Sequence, residues 1–167
     1  TCPGIMGEEE AEGASVPVHV LPMKIREETT SEDTKTAVKL MVDARVDLIV
    51  FVGGDGTAKD IFDVMKECGE VPVLGVPSGV KMYSGIFAVN PSDAAYVVLA
   101  FAQNHAELTE FEVMDADEKA IRSDTFTIKL HGFLKGPFLP MRIQGSKQVS
   151  PATVDEKENQ TAIARFV

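Results

Sequence analysis

The chain has 167 residues, of which 44% are hydrophobic and 25% charged, a composition that excludes wholesale disorder. Its 26 acidic residues outnumber 16 Lys and Arg, and the net charge of −10 argues against a general nucleic-acid binder. The apolar runs are too short to cross a bilayer, so no membrane segment is predicted. Cys2 and Cys68 fit neither a disulfide framework nor a metal motif, which indicates a reducing, cytoplasmic location.

The first elements in chain order are read from short apolar runs and capping residues. Residues 1–15 are rich in Gly and Glu and are typical of a loop or frayed helix, while residues 16–21 fit a short strand. Thr29 and Glu32 fit a capping box that opens a helix. The next apolar run, residues 46–52, predicts a strand that is buried on both faces.

A glycine-rich break, residues 53–56, follows that strand. Residues 57–68 then predict a helix, residues 71–76 a second apolar strand, and residues 90–103 a further helix that starts with Asn-Pro. Alternation of strands and helices in this order predicts an α/β fold with a parallel, Rossmann-like sheet.

The pattern changes in the second half of the chain. Residues 108–115 and 125–133 alternate apolar and polar side chains, which is typical of half-exposed antiparallel strands. The Gly and Pro residues of 132–140 predict a loop, and residues 150–166 a final helix. We therefore predict two domains: an α/β nucleotide-binding domain, 1–107, and the start of a β-rich domain, 108–167.

The segment that carries chemistry is DLIVFVGGDGT, residues 47–57. Glycines at the carboxyl end of a buried strand let the backbone turn and let a ligand approach with no Cβ in the way. The following helix directs its free N–H groups into the same crevice, and Thr57 is placed to cap it. Asp55 fits either a base that accepts a hydroxyl proton or a group that orients Mg²⁺. The alternative is that Asp-Gly is simply a common turn dipeptide.

Other site classes are disfavoured by the sequence. It contains neither the G-x-G-x-x-G fingerprint nor the P-loop motif, which argues against a Rossmann dehydrogenase and a P-loop NTPase. Ser78 and Ser84 have no nearby His, which argues against a hydrolase nucleophile. His19, His105 and His131 show no metal-ligand spacing, so no metal site is predicted from them.

The GGDGT segment, between an apolar strand and a helix, resembles the motif of the NAD kinase and diacylglycerol kinase superfamily. The resemblance extends to the AcoX-related, ATP–NAD kinase-like branch of that superfamily and covers most of the chain. It rests on TTSEDT (29–34), FVGGDGTAKDIFDV (51–64), VPVLGVPSGVKMYSGIFAVNP (71–91), GFLKGPF (132–138) and QGSK (144–147). It implies an N-terminal α/β domain that faces a β-rich domain, with the active site between them.

The resemblance also implies roles for individual residues. Asp55 would be the general base that activates the acceptor hydroxyl, which is the adenosine ribose 2′-OH if the substrate is NAD. The nucleotide and its phosphates would be bound by Gly53, Gly54, Gly56, Thr57, Gly75, Gly79 and Lys81. The implied cofactors are ATP and Mg²⁺, with NAD as substrate. The implied partners are small-molecule nucleotides, and a homo-oligomeric state is left open.

The chain departs from the better-known branches in two places. NAD kinases carry an Asn-Glu or Asn-Asp pair that residues 108–167 lack, and lipid kinases carry G-T-x-N-D where this chain has SGVKM, residues 78–82. The expected activity is phosphoryl transfer from ATP to a hydroxyl, with NAD to NADP as the leading reaction. The alternatives are a kinase of the same superfamily with another acceptor and a non-catalytic, regulatory nucleotide-binding module. The resemblance also implies that the chain is a piece of a longer protein.

Overall fold

A computed structural model describes residues 1–14, 17–26, 28–79, 82–116 and 128–144. The elements are a 3-10 turn (Gly4–Met6), α1 (Glu8–Glu12), α2 (Ser31–Asp43), β1 (Ile49–Gly53), α3 (Asp55–Cys68), β2 (Val73–Pro77), α4 (Pro91–Ala102), β3 (Glu107–Ala116) and β4 (Ile128–Phe138). The predicted α/β class is confirmed. In these ranges, none of the helices has the length and apolar character needed to cross a membrane.

Two small sheets lie at the centre of the described part of the chain. β1 and β2 are parallel, with Ile49 opposite Val73. β3 and β4 are antiparallel, and their register shifts between Val113 and Met114. The parallel and antiparallel pairings predicted from the sequence are therefore both present.

The segment that follows β2 joins the two sheets. The Gly75 N–H donates to the Ile86 carbonyl at 3.0 Å, and the Ala88 N–H donates to the Gly75 carbonyl at 2.9 Å. The Gly85 N–H donates to the Glu112 carbonyl of β3 at 2.9 Å. The loop after β2 is thereby held against both sheets.

The main core lies between the sheets and the helices α2 and α3. Its buried residues are Val38, Ile49, Phe51, Ala58, Ile61, Val64, Met65, Val73, Met82, Ile86, Phe87, Val113 and Leu134. Ile61 is only 1% exposed, and burying a side chain of that size stabilises a fold by about 1.5–3 kcal/mol. Val113 and Leu134 come from β3 and β4, so this hairpin packs directly on the α/β unit. The division at residue 107 stays a prediction.

The opposite face of the parallel sheet is covered only in part. α4 packs on β2, where Leu74, Ala94 and Val97 are buried together. In β1, Val50 is 43% exposed and Val52 is 70% exposed. The prediction that this strand is buried on both faces is therefore wrong, because no element in the described ranges covers β1 on that side.

The helix α2 begins one residue later than the sequence predicted. The Thr30 N–H donates to Asp33 Oδ2 at 2.8 Å, and the Thr30 hydroxyl donates to the same oxygen at 2.9 Å. The capping box is formed by Thr30 and Asp33 rather than Thr29 and Glu32. Both pairs have the same three-residue spacing, so the sequence pattern did not separate them.

Two further predictions are corrected in the described ranges, and one lies outside them. Residues 17–21 form no strand. The loop predicted at 132–140 is largely strand, because β4 continues to Phe138. Glycine suits position 132 of this strand, because a Cβ at Gly132 would collide with the Phe62 ring. The helix predicted at 150–166 lies outside the described residues.

A cluster around Phe62 and Asp63 fixes α3 to β4. The rings of Phe62 and His131 meet edge to face, with centroids 5.2 Å apart. Asp63 Oδ1 lies 3.0 Å from Lys66 Nζ and 3.2 Å from His131 Nε2. The hydrogen bonds with Lys66 and then His131 hold the pKa of Asp63 below its ordinary value, although partial burial opposes them.

We expect Asp63→Asn to lower the free energy of unfolding near pH 5 and to have less effect in stronger acid. Because the folded-state pKa of Asp63 lies below the unfolded value of about 4, the ionised group stabilises the fold above that value. This stabilisation is lost as the pH falls through the folded-state pKa. Urea denaturation of both proteins at about pH 5 and about pH 2 measures the difference. An equal difference at the two pH values would contradict the prediction.

Candidate functional site

The candidate site begins where β1 passes directly into α3. Gly54 alone separates the last residue of β1 from Asp55, the first residue of α3. The Asp55 carboxylate therefore lies in the first turn of a helix, where negative charge interacts favourably with the helix dipole. The prediction that Thr57 caps this helix is wrong, because Gly54 is the N-cap residue.

The Asp55 side chain accepts two hydrogen bonds from the loop after β2. The Tyr83 N–H donates to Oδ2 at 2.8 Å, and the Ser84 N–H donates to Oδ1 at 2.9 Å. A carboxylate has about four acceptor positions, so about two remain for a ligand. One side chain thus joins the two loops that the sequence predicted to share a site.

A backbone hydrogen bond strengthens this connection. The Ser78 N–H, just after β2, donates to the Gly53 carbonyl at the end of β1, at 3.1 Å. The carboxyl ends of the two parallel strands are therefore held at one edge of the sheet. In α/β proteins, ligands bind in the crevice outside this edge.

Three of the predicted site glycines border open space. A Cβ built on Gly54, Gly56 or Gly79 would meet no other atom within 4 Å. Gly54 and Gly56 flank Asp55 at the start of α3, and Gly79 follows β2 in the second loop. At each of these positions the backbone is open to the approach of a ligand, and a side chain would narrow that space.

The other two predicted glycines are enclosed by protein atoms. At Gly53 a Cβ would lie 2.5 Å from Thr57 Oγ1, so Thr57 lies directly against the end of the strand. At Gly75 a Cβ would collide with the Phe87 ring and would lie 2.9 Å from Phe51 Cζ. Gly75 lies inside β2 rather than in the loop that follows it. The face of β2 at Gly75 packs on the rings of Phe87 and Phe51.

Lys81 is a predicted phosphate-binding residue that lies outside the described residues. Its predicted role therefore stays a prediction.

A cavity of about 370 Å³ opens at the carboxyl end of β2, a size typical of small-molecule sites. It is lined by Pro77, Gly79, Met82, Val89, Asn90, Pro91 and Gln144. Among the predicted site residues that the structure describes, Gly79 lines this cavity. Gln144 presents a side-chain amide whose Nε2 donates to the Ala88 carbonyl at 3.2 Å. The sequence analysis did not select Asn90 or Gln144 as site residues, although Gln144 opens the QGSK segment.

Tyr83 and Ser84 were not predicted as partners of Asp55. Both contribute a backbone N–H, which every residue except proline carries. Their residue types therefore give no signal of this contact. The resemblance, which includes residues 71–91, is what places them near the site.

The site residues fit a magnesium ion that arrives with the nucleotide. In the described part of the chain, no three His, Cys, Asp or Glu side chains are grouped to hold a metal. Mg²⁺ is commonly held by one or two carboxylates together with waters and substrate phosphates. The remaining acceptor positions of Asp55 would suit that arrangement as an alternative to accepting a hydroxyl proton.

Comparison with known families shows the family to which the chain belongs. The model described as ATP-NAD kinase N-terminal domain matches residues 3–106, which include both glycine loops and Asp55. The chain belongs to the ATP-NAD kinase family. The resemblance predicted from the GGDGT segment is therefore confirmed.

One curated protein is similar in sequence to part of this chain. Acetoin catabolism protein X of Cupriavidus necator is 44% identical over 50 residues. The aligned segment is 30% of this chain and 13% of that protein, so the chain spans only a small part of the relative's length. No solved structure matches the chain.

We expect Gly75→Ala and Gly56→Ala to differ in their effects on stability. Gly75→Ala should lower the free energy of unfolding by about 1–3 kcal/mol, because the added Cβ overpacks β2 against Phe87. Gly56→Ala should be neutral or should stabilise α3 by up to about 1 kcal/mol, since its Cβ meets open space. Urea denaturation of both variants measures the difference, and equal destabilisation would contradict it.

Proposed function

We propose that this chain forms the nucleotide-binding part of an ATP-dependent phosphotransferase that acts on a hydroxyl group. The leading reaction is conversion of NAD to NADP. The observation that carries the proposal is the position of Asp55, whose carboxylate is held by two backbone amides between glycines that border open space. Membership of the ATP-NAD kinase family supports a kinase, and the choice of NAD rests on the resemblance.

The backbone provides the phosphate site in this proposal. The N–H groups of Asp55, Gly56 and Thr57 occupy the first turn of α3, where no carbonyl within the helix is available to them. Together with the helix dipole, they attract phosphate oxygens. This local attraction operates in a chain whose net charge is −10, because it comes from nearby main-chain dipoles.

Asp55 acts as the base in the proposed reaction. Its carboxylate accepts the proton of the acceptor hydroxyl as the oxygen bonds to the terminal phosphorus of ATP, and ADP leaves. The Tyr83 and Ser84 amides hold the carboxylate in one orientation, so that its remaining lone pairs face the acceptor. Mg²⁺ bound with ATP would neutralise charge on the phosphates.

A non-catalytic, regulatory nucleotide-binding module is the second candidate. The two hydrogen bonds of Asp55 connect the loops whether or not a reaction occurs, which gives this carboxylate a structural role as well. Residues 108–167 also lack the Asn-Glu or Asn-Asp pair. A kinase of the same superfamily with another hydroxyl acceptor is a further alternative.

We also propose small-molecule nucleotides as partners and a cytoplasmic location. Cys2 and Cys68 are both free thiols in the described structure, and free cysteines are common in reducing compartments.

We expect Asp55→Asn in the full-length protein to lower kcat by about 10²–10⁴-fold, which is the usual contribution of a general base. The KM for nucleotide should change little, because the lost interaction belongs to the transition state. Steady-state assays with ATP, Mg²⁺, NAD and other hydroxyl acceptors measure both constants.

Asp60→Asn is the matched control. Asp60 lies on the same helix, and its Oδ1 is 3.6 Å from Lys35 Nζ, so this variant removes a carboxylate that pairs with α2. Its kcat should stay unchanged. If nucleotide binds but no acceptor is phosphorylated, the kinase proposal is wrong and the regulatory module is supported.

We expect Gly56→Ala to weaken nucleotide binding by about tenfold, because its Cβ enters the space next to the proposed phosphate site. Calorimetric titration with ATP and with NAD measures the Kd of each. Gly13→Ala is the control, since Gly13 follows α1 and a Cβ there would lie at an ordinary 3.7 Å from the Glu10 carbonyl. An unchanged Kd for Gly56→Ala would contradict the position of the phosphate site.

A further inference from the structure

Ser84 is a buried polar residue whose side chain has no part in the reaction described above. It is 1% exposed. Its hydroxyl oxygen accepts a hydrogen bond from the Met114 N–H at 2.9 Å and donates to the Met114 carbonyl at 3.4 Å. Its own backbone N–H donates to Asp55 Oδ1 at 2.9 Å. One residue therefore contacts both the carboxylate of the candidate site and the strand β3.

The point of contact on β3 is the register shift between Val113 and Met114. Irregular pairing of this kind disrupts the ladder of backbone hydrogen bonds. A hydroxyl both donates and accepts, so Ser84 is able to satisfy the N–H and the carbonyl of Met114 together. Met114 of β3 thus offers two backbone partners to one hydroxyl at a fixed position.

We propose that Ser84 is a positioning residue for Asp55. The hydroxyl anchors the loop after β2 to β3, and the anchored loop presents the Tyr83 and Ser84 amides to the two carboxylate oxygens. Ser84 thereby sets the direction in which the remaining lone pairs of Asp55 point. This inference rests on the proposed function, because Asp55 is the base in that proposal.

Packing alone does not account for a hydroxyl at this position. Alanine occupies nearly the same volume, but it leaves the Met114 N–H and carbonyl without the Ser84 hydroxyl as their partner in a part-buried place. We expect the loop to shift when this anchor is lost, which moves the two amides that orient Asp55. A displacement of about 1 Å in a catalytic group costs on the order of 100-fold in rate.

Three variants of the full-length protein test the proposal. Ser84→Ala should lower kcat by about 10- to 100-fold and leave the KM for ATP nearly unchanged. Ser84→Cys should fall between Ser84→Ala and the natural protein, because a thiol is a weak donor and acceptor of similar shape. Val97→Ala is the control for lost stability, since Val97 is fully buried in the core beneath α4. Its kcat should stay unchanged at a temperature where all variants are folded.

Amide hydrogen exchange gives a readout that does not depend on turnover. In Ser84→Ala, the backbone amides of residues 83 and 84 should exchange faster than in the natural protein, while amides in the middle of α4 keep their protection. In Val97→Ala, the amides of α4 should exchange faster, while the Tyr83 and Ser84 amides keep their protection. Unchanged exchange at Tyr83 and Ser84 would overturn the proposal, and so would an unchanged kcat in Ser84→Ala when Asp55→Asn is inactive.

These outcomes separate this proposal from the proposed function. Loss of turnover in Asp55→Asn with an unaffected Ser84→Ala leaves the kinase in place and rejects Ser84 as a positioning residue. If no acceptor is phosphorylated by the natural protein, the kinase proposal fails. The exchange of the Tyr83 and Ser84 amides then decides by itself whether Ser84 holds Asp55.

Discussion

The pair of hydrogen bonds from the Tyr83 and Ser84 amides to the Asp55 carboxylate connects the two halves of the candidate site. Hydrogen bonds to a charged group each contribute about 1.5–3 kcal/mol, which is more than a neutral pair contributes. They join residues that are 28 and 29 positions apart in the chain. The start of α3, which carries Gly54 and Gly56, and the loop after β2, which carries Gly79, are therefore held together.

Much of the fold could be predicted from the sequence because its signals are local. Asn90 is an example, since its side chain accepts from the Asp93 N–H at 2.9 Å as the Asn-Pro-x-Asp pattern predicts. The exposure of Val50 and Val52 could not be predicted, because an apolar run does not record which neighbouring element covers it. The fit of Gly132 against the Phe62 ring likewise involves two elements that are far apart in sequence.

The candidate site was predictable only in outline. The GGDGT segment located Asp55 and its glycines, but a glycine that borders open space and a glycine that borders a ring look the same in sequence. Gly79 and Gly75 are such a pair, and the difference between them is the position of Phe87. The partners of Asp55 are backbone amides, which carry no residue signature. Ser84 was considered only as a nucleophile, because its contact with Met114 depends on a strand that lies 30 positions away in the chain.

Because Gly75 and the Phe87 ring are in close contact, the size of one residue limits the size of the other, although they are not neighbours in sequence. Phe87 is fully buried, and its edge occupies the space that a side chain on β2 would take. Evolutionary change at the two positions is therefore expected to be correlated. A homologue with alanine or serine in place of the glycine should carry a smaller residue opposite it, and transplanting either residue alone between homologues should be less tolerated than transplanting both.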